Sequence, residues 1–319
     1  MKFTILGWAL VGLSQLISAA PSTISKRQSA EAASVGYATL NGGTTGGIGG
    51  TVTTVTTLAA LTAAVAGDAK KIVLISGTIT GAARVDIGSN TSLLGKNSAA
   101  ALVGIGLRVY KESNVIIRNI KVSKVLAGTG DAIGLQLATN VWVDHVELFS
   151  DMDHDKDYYD GLLDITHACD WITVSYCYFH DHWKASLVGH SDSNGDEDTG
   201  HLTVTYKHNY WKNINSRTPS FRFGTGHVYN NYFLSVNDGI NTRQGAQLLV
   251  QNNVFEDTSD PLYSTDDGYA VATGNDFGIG ANEALAGTLT TVPYSYSLGS
   301  TSTTKAYVIA NAGNSLTIG

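Results

Sequence analysis

Evenly spaced aromatic residues in the second half of the chain constrain its fold more than any other feature. An aromatic residue closes each repeat unit, and the last three separations between these aromatics are equal. A constant period of about 22 residues is the signature of stacked repeats, each of which buries its apolar face against the next. The closing aromatics are Phe149, Phe179, Trp211, Phe233, Phe255 and Phe277.

An asparagine stands two residues before each of the last four aromatics. Stacked coils lie about 4.8 Å apart, so each side-chain amide can bond the next, and asparagine tolerates the left-handed backbone of a tight turn. Short β-branched runs bounded by turn formers recur from residue 72 onward. The sequence therefore predicts an all-β fold, a single-domain right-handed parallel β-helix. The predicted ladder contains Asn209, Asn231, Asn253 and Asn275.

Both ends of a solenoid need protection, because they expose the core and a strand edge. Apolar residues between Val55 and Ala66 have helical spacing, with Thr56 or Thr57 as N-cap and Gly67 as a stop. We expect this segment to be a short N-terminal capping helix. After Phe277 the periodicity fails, so residues 278–319 are expected to form an irregular C-terminal tail along the solenoid.

The first residues have the pattern of a secretory signal peptide. Lys2 precedes an apolar run, and small residues follow near position 20. We assign residues 1–20 to this signal and residues 21–27, which end in the dibasic pair Lys26-Arg27, to a possible propeptide. Residues 28–319 then form the β-helix domain, and the product is expected to be secreted and extracellular.

The charge balance excludes some partners. Removing residues 1–27 takes away three basic residues and no acidic ones, which leaves a net charge of −10 and argues against a nucleic-acid partner. No later run approaches the ~18 apolar residues of a membrane-spanning helix, and nothing demands more than a monomer. Cys169 and Cys177 are expected to be buried thiols, although pairing stays open. Asn90 lies in a sequon and could carry a glycan.

Charged residues recur at steps of about one coil, with loops, through the middle of the chain. Stacking places them on one lateral face, with acids towards the N-terminal side and bases towards the C-terminal side. Such a groove suits an extended polyanion whose carboxylates share a bound cation. The residues are Asp131, Asp160, Asp164, Lys184, Arg217 and Arg222.

At these residues the chain resembles the pectate lyases of polysaccharide lyase family 1, of the secreted, fungal type. Residues 141–145 (VWVDH) are similar to that family's V-W-I-D-H segment, and residues 160–164 (DGLLD) to its calcium segment. Residues 217–222 (RTPSFR) fit its R-x-P-x-x-R motif. The resemblance runs from about residue 46 to residue 277.

The resemblance implies calcium-dependent β-elimination of (1→4)-linked galacturonan, known as pectate or polygalacturonate. It implies Arg217 as the catalytic base and Lys184 and Arg222 as substrate-binding residues. Arginine is normally protonated at every accessible pH, so we expect an alkaline activity optimum. The same resemblance implies that the calcium (Ca²⁺) ligands are Asp131, Asp160 and Asp164.

One geometric difficulty concerns the calcium segment. Residues four apart on a straight strand lie about 13 Å apart, which is too far for Asp160 and Asp164 to share one ion. We therefore expect the chain to bend at Gly161.

Two further acidic patterns are given structural interpretations. Asp144 and His145 imitate part of a catalytic triad, but neighbours on a strand point to opposite faces, so we expect a structural or folding role. The stretch from Asp151 to Asp157 imitates an EF-hand, but it lacks the required glycine and glutamate, so we expect a solvated loop that borders the groove.

Three other functions compete with a pectate lyase. A pectin lyase would cleave the methyl-esterified polymer without calcium, and that family replaces the three acids retained here. A β-helical polygalacturonase would hydrolyse with paired carboxylates, and only the isolated pair Asp266-Asp267 suggests one. A non-catalytic solenoid would use the groove only to bind acidic polysaccharide.

Overall fold

The computed structural model describes residues 31–318. The signal peptide and propeptide predicted within residues 1–27 lie outside the described residues. In residues 31–318, no helix has the length and apolarity needed to cross a membrane.

The described residues form 24 β-strands, three α-helices and two short 3-10 helices. The first twelve strands are β1 (Thr51–Val55), β2 (Lys71–Ile75), β3 (Thr78–Asp86), β4 (Thr91–Gly95), β5 (Ala101–Tyr110), β6 (Ser113–Arg118), β7 (Lys121–Ser123), β8 (Ile133–Gln136), β9 (Thr139–Asp144), β10 (Glu147–Phe149), β11 (Leu163–Thr166) and β12 (Asp170–Ser175). The others are β13 (Tyr178–Lys184), β14 (Leu187–Val188), β15 (Thr203–Lys207), β16 (Tyr210–Ser216), β17 (Ser220–Arg222), β18 (Thr225–Tyr229), β19 (Tyr232–Arg243), β20 (Gln247–Gln251), β21 (Val254–Thr265), β22 (Tyr269–Thr273), β23 (Asn282–Glu283) and β24 (Leu285–Ala286). The helices are α1 (Leu58–Val65), α2 (Gly195–Asp198) and α3 (Thr301–Asn311), and the 3-10 helices are Tyr37–Thr39 and Ala127–Thr129.

The strands stack into two parallel sheets that wind around one core. The first sheet has 11 strands in the order β1-β2-β4-β6-β9-β12-β15-β18-β20-β22-β24, and each coil contributes one of them. The second sheet contains the other 13 strands. Strand pairs such as β9–β12 and β18–β20 are parallel, as a solenoid requires. The predicted all-β parallel β-helix is therefore confirmed.

The asparagine ladder is confirmed along one edge of the first sheet. Asn231 accepts at its side-chain oxygen from the backbone N–H and the side-chain amide of Asn209, at 2.8 and 3.0 Å. Asn231 and Asn253 donate in the same way to the next asparagine along the ladder. The expected left-handed conformation belongs instead to the residue before each ladder asparagine. These residues are His208, Asn230, Asn252 and Gly274.

Inside the coils the closing aromatics form a stack. The rings of Phe179 and Trp211 lie 4.1 Å apart, and those of Phe233 and Phe255 lie 4.3 Å apart. Phe149 was wrongly aligned with this stack, because Leu148 pairs with Phe179 and Phe149 pairs with the next residue. The step from Leu148 to Phe179 is longer than the regular period, since that coil carries a loop, and this hides the correct register.

The predicted N-terminal capping helix is confirmed as α1. The Thr57 side chain accepts a hydrogen bond from the backbone N–H of Ala60, and Gly67 follows the helix with a φ of 71°. Leu61 and Val65 are buried in the main core. The helix therefore covers the apolar end of the first coils.

The C-terminal tail lies along the solenoid as expected, but it is not wholly irregular. Helix α3 forms within it, and Val308 packs against Tyr232 and Val254. Near the end of the tail, Ile318 packs against Ile72 and other residues on the outer face of the first sheet. Tertiary packing therefore stabilises a helix that the failed repeat did not predict.

His227 attaches the tail to the first sheet. Its Nδ1 lies 2.7 Å from the Tyr294 hydroxyl, and its Nε2 lies 3.0 Å from Gln251 Oε1. Burial lowers the pKa of His227 to about 4, and the hydrogen bond to Gln251 opposes this shift only in part. In the folded protein this ring therefore stays neutral over a pH range in which the same histidine is protonated in the unfolded chain.

We expect His227 to make the protein less stable in acid. As the pH falls, the histidine is protonated at about pH 6.5 in the unfolded chain but only near pH 4 in the folded protein. Between these values protonation favours the unfolded chain, so stability that is present above pH 6.5 is lost as the pH falls towards 4. The contribution is roughly 3 kcal/mol. Thermal unfolding of the wild type and of His227→Phe measures it, and the variant should show a flatter dependence between these pH values. An equal dependence in both proteins would contradict this role.

The cysteines are confirmed as buried free thiols. Burial raises the pKa of the Cys169 thiol to about 12, so the thiol stays protonated at neutral pH.

Two arms of the second sheet lie side by side, one formed by β7, β10, β13 and β16 and the other by β8, β11, β14 and β17. In four successive coils the chain passes from the first arm to the second. Three of these passages contain a charged residue of the predicted groove, and in the third passage Lys184 is the last residue of the preceding strand. The residues in the other three are Asp131, Asp160 and Arg217. The fold thus brings these residues to one lateral face, as predicted.

Candidate active site

Two predicted acids meet at Gly161. The Asp131 Oδ1 atom accepts the backbone N–H of Gly161 at 3.0 Å. The Asp164 carboxylate lies over the same residue, since a Cβ built on Gly161 would lie 2.5 Å from Asp164 Oδ1. Gly161 is needed for this close approach and not for a left-handed φ. We expected glycine here because of its backbone freedom, but the structure gives a steric reason instead: a side chain at this position would collide with Asp164.

The two carboxylates repel each other, and Asp164 is buried while Asp131 is half-buried. Burial raises the pKa of Asp131, and the charges of Asp164 and Asp160 raise it further. Burial also raises the pKa of Asp164, although Arg217 and the backbone N–H of Leu187 oppose the rise. The Leu187 N–H donates to Asp164 Oδ1 at 3.0 Å. The protein therefore disfavours two negative charges at this position, and a bound cation would relieve that cost.

Asp160 is held separately, at the edge of the groove. Lys184 Nζ lies 3.3 Å from Asp160 Oδ1 and 3.2 Å from Asp157 Oδ1. His182 Nε2 lies 2.7 Å from the backbone carbonyl of Asp160 and donates to it. Burial lowers the pKa of His182 to about 4, so this contact is made by a neutral ring.

Arg217 points towards Asp164 from two coils further along the solenoid. Its Nη1 lies 4.0 Å from Asp164 Oδ2, and its side chain is 32% exposed. The residue has a φ of 64°, a left-handed conformation that is uncommon outside glycine. Its backbone carbonyl accepts the N–H of Ser186 at 2.7 Å, which fixes this bend to the neighbouring coil.

Arg222 is the last residue of β17, five residues after Arg217 on the same coil. Its Nε donates to Asp192 Oδ1 at 2.5 Å, and its Nη1 donates to the carbonyl of Gly189 at 3.2 Å. Arg243, on the next coil, donates to the other oxygen of Asp192 at 2.9 Å. Lys184 and Arg217 therefore contact the predicted acids, whereas Arg222 contacts Asp192 and Gly189.

The sequence argument missed His182, Asp192 and Arg243. His182 lies two residues before Lys184 in the sequence, and this proximity was the available signal. Asp192 belongs to an acidic loop, and no spacing rule shows which arginine such a loop contacts. Arg243 follows Arg222 by nearly one repeat period and could have been found from it.

The three predicted calcium ligands do not form a compact cluster by themselves. Within residues 31–318, no group of three or more acidic, histidine or cysteine side chains is arranged to hold a metal ion. Asp131 and Asp164 both lie against Gly161, while the Asp160 carboxylate pairs with Lys184. The donor chemistry still fits calcium, which binds carboxylate oxygens in flexible geometry.

Asp144 and His145 lie away from this groove, at the end of β9 in the first sheet. His145 has a φ of 51°, which turns its ring back so that Nδ1 lies 2.7 Å from Asp144 Oδ2. The expectation that the two side chains point to opposite faces is therefore wrong. Arg118 Nε lies 2.7 Å from Asp144, and Ser175 donates to Asp144 at 2.6 Å. The serine contacts the acid and not the imidazole, so the cluster supports a structural role.

The acidic loop from Asp151 to Asp157 borders the groove. Asp157 contacts Lys184 from this loop, while Asp151 contacts His154 and the Tyr159 hydroxyl at 2.7 and 2.8 Å. The loop is therefore partly structured by contacts within itself.

Known proteins match the chain in sequence over nearly its whole length. A family model described as pectate lyase matches residues 12–316. A probable pectate lyase A from Neosartorya fischeri is 64% identical over 310 residues, which cover 96% of each chain. Pectate lyase A from Aspergillus niger is 62% identical over 299 residues, which cover 93% of each chain.

A solved structure matches the fold. The crystal structure of a pectate lyase from Bacillus sp. N165 in complex with trigalacturonate has a TM-score of 0.80 and 34% sequence identity. The match covers 88% of this chain and 98% of that chain. Together with the parallel β-helix, these matches show that the chain belongs to the pectate lyase family.

Proposed function

We propose that this chain cleaves (1→4)-linked polygalacturonate by calcium-dependent β-elimination in the groove. The observation that carries the proposal is the meeting of Asp131 and Asp164 at Gly161, with Arg217 4.0 Å from Asp164. This arrangement supports a site for a hard cation at the two carboxyl groups, beside the residue that we assign as the base. The relative solved with trigalacturonate supports the same class of substrate.

Calcium would be held by Asp131, Asp160 and Asp164. When bound, it neutralises the acids and withdraws electron density from a uronate carboxylate, which makes the neighbouring C5 proton more acidic. Asp131 and Asp164, whose pKa values are raised by burial and by neighbouring acids, would hold the ion in their ionised form.

The side chains of this protein supply the remaining steps. Arg217, in its neutral guanidine form, takes the C5 proton and later releases it to solvent. The electron pair of that C–H bond forms the C4–C5 double bond, and the bond from C4 to the glycosidic oxygen breaks. The leaving oxygen then takes a proton from solvent. Lys184 stabilises the charge that develops on the carboxylate, and Arg222 holds a substrate carboxylate in register.

The type of product tests the proposed reaction. Elimination yields a conjugated, unsaturated uronate that absorbs ultraviolet light, whereas hydrolysis yields a new reducing end without such absorbance. We expect ultraviolet absorbance to rise in step with reducing ends on polygalacturonate. Reducing ends without absorbance would contradict elimination. Higher activity on fully methyl-esterified pectin would favour the pectin lyase alternative.

Gly161→Ala is expected to weaken calcium binding by about tenfold. The new Cβ would lie 2.5 Å from Asp164 Oδ1, so the carboxylate must leave its present position. Isothermal titration with calcium measures the change. Gly128→Ala is the matched control, because a Cβ at Gly128 has no atom within 4 Å. Equal affinities in the wild type and Gly161→Ala would contradict the assignment of Asp164 as a ligand.

We further infer that the protein is secreted as a monomer after removal of residues 1–27. The apolar N-terminal run and the dibasic pair support this processing. Mass spectrometry of protein recovered from culture medium tests it, and the expected N-terminal residue is Gln28. Protein retained in the cell with an intact N-terminus would contradict the inference.

A further inference from the structure

The guanidinium of Arg222 is confined by the loop that follows β14. Asp192 holds its Nε at 2.5 Å, and the Gly189 carbonyl holds its Nη1 at 3.2 Å. Gly189 has a φ of 88°, and a Cβ there would lie 2.6 Å from the Cβ of Arg222. The side chain of Arg222 is only 11% exposed. The loop thus packs against the whole length of this side chain.

Asp192 also forms a salt bridge with a second arginine, Arg243. Arg222 and Arg243 are direct partners in the parallel register of β17 and β19, so two like charges face each other across adjacent strands. Such pairs repel each other. The two oxygens of Asp192 accept one arginine each, at 2.5 Å from Arg222 and 2.9 Å from Arg243. Asp266 accepts the same Arg243 nitrogen at 3.0 Å.

The remaining edge of Arg222 is available to a ligand. Its Nε and Nη1 are engaged, whereas Nη2 makes no hydrogen bond to any residue in the described part of the chain. Because Asp192 and Gly189 already fix the orientation of this planar guanidinium, it loses little orientational freedom when it binds a carboxylate.

We propose that Asp192 is a positioning residue for substrate binding, which bridges Arg222 and Arg243 and directs the outer edge of Arg222 at a uronate carboxylate. This inference rests on the proposed function, which assigns Arg222 to the substrate. Asp192 does not contact the substrate in this role. It acts only through the arginine.

Asp192 can be replaced without removing the supports of its loop. Asp198 accepts the backbone N–H of Ala168 at 2.8 Å and the side-chain amide of Asn194 at 2.9 Å. These contacts tie the loop to the solenoid independently of Asp192. Asp196 is an exposed acid in the same loop and provides a charge-matched control.

The test is the steady-state kinetics of polygalacturonate cleavage. Asp192→Ala should raise KM about tenfold and leave kcat within about twofold, because Arg222 binds the ground state and the transition state alike. Asp192→Asn should raise KM less, since its amide oxygen still accepts a hydrogen bond. Asp196→Asn should leave both constants unchanged. An unchanged KM in Asp192→Ala would overturn the proposal.

A double-mutant cycle separates positioning from a general structural effect. Arg222→Gln alone should raise KM, and adding Asp192→Ala to it should raise KM no further. A full additional increase in the double variant would overturn the inference while leaving the proposed function intact. An unchanged KM in Arg222→Gln would remove the substrate role of Arg222 and the inference with it. Absence of unsaturated product from the wild type would instead refute the proposed reaction.

Discussion

Replacing Arg217 with lysine is expected to reduce kcat on polygalacturonate by about 10³-fold. Lysine is also a basic residue, but it replaces a planar guanidine group with a compact amine on a different stem. The nitrogen that now lies 4.0 Å from Asp164 would no longer be presented to the C5 proton. Initial rates of ultraviolet-absorbing product, at saturating substrate and calcium, measure the loss.

Binding should survive this substitution. Titration of Arg217→Lys with polygalacturonate in the presence of calcium should give an affinity close to that of the wild type. Arg84→Lys is the matched control, because Arg84 is 47% exposed and pairs only with Asp86, another exposed residue. Unchanged turnover in Arg217→Lys would exclude Arg217 as the base and leave a binding protein or another catalytic residue as the explanation.

Asp131→Asn is expected to weaken calcium binding by about 100-fold and yet stabilise the calcium-free protein by roughly 1–3 kcal/mol. The substitution removes one of two neighbouring carboxylates that repel each other, while its amide oxygen can still accept the N–H of Gly161. Calcium titration measures the first effect, and chemical denaturation in chelator measures the second.

The same change at Asp144 should have the opposite effect on stability. Burial would raise the pKa of Asp144, but His145 and Arg118 more than offset this and hold it below its usual value. Asp144→Asn should therefore destabilise the protein by about 3–5 kcal/mol, because it breaks a buried ion pair. Calcium affinity should not change. If Asp131→Asn instead destabilised the calcium-free protein, the prediction for Asp131 would be contradicted, because its carboxylate would then make net favourable interactions in the folded state.

Most of the fold was predictable because the repeat is regular where loops are short. From Trp211 to Phe277 the coils are equal in length, and the ladder from Asn209 to Asn275 follows directly. Upstream, loops of different length separate the arms, and this variation caused the misalignment of Phe149. Helix α3 was missed because its sequence is rich in threonine and it depends on packing of Val308 against the solenoid.

The positions of the site residues were predictable, but their contacts were not. The motifs gave the acids and cations in the right order along one face. They could not show that Gly161 gives space to the Asp164 carboxylate, since that depends on a side-chain direction. Likewise, the bridge from Asp192 to two arginines depends on how a loop folds back over the next coil. Such contacts arise from tertiary structure and leave no periodic signal.

The calcium dependence of product formation tests the central claim most directly. The protein is treated with excess chelator, mixed with polygalacturonate and monitored for ultraviolet absorbance before and after calcium is restored. We predict no absorbance change in chelator and full recovery with calcium, together with loss of that recovery in Arg217→Lys. Continued formation of unsaturated product after complete removal of calcium would contradict the mechanism.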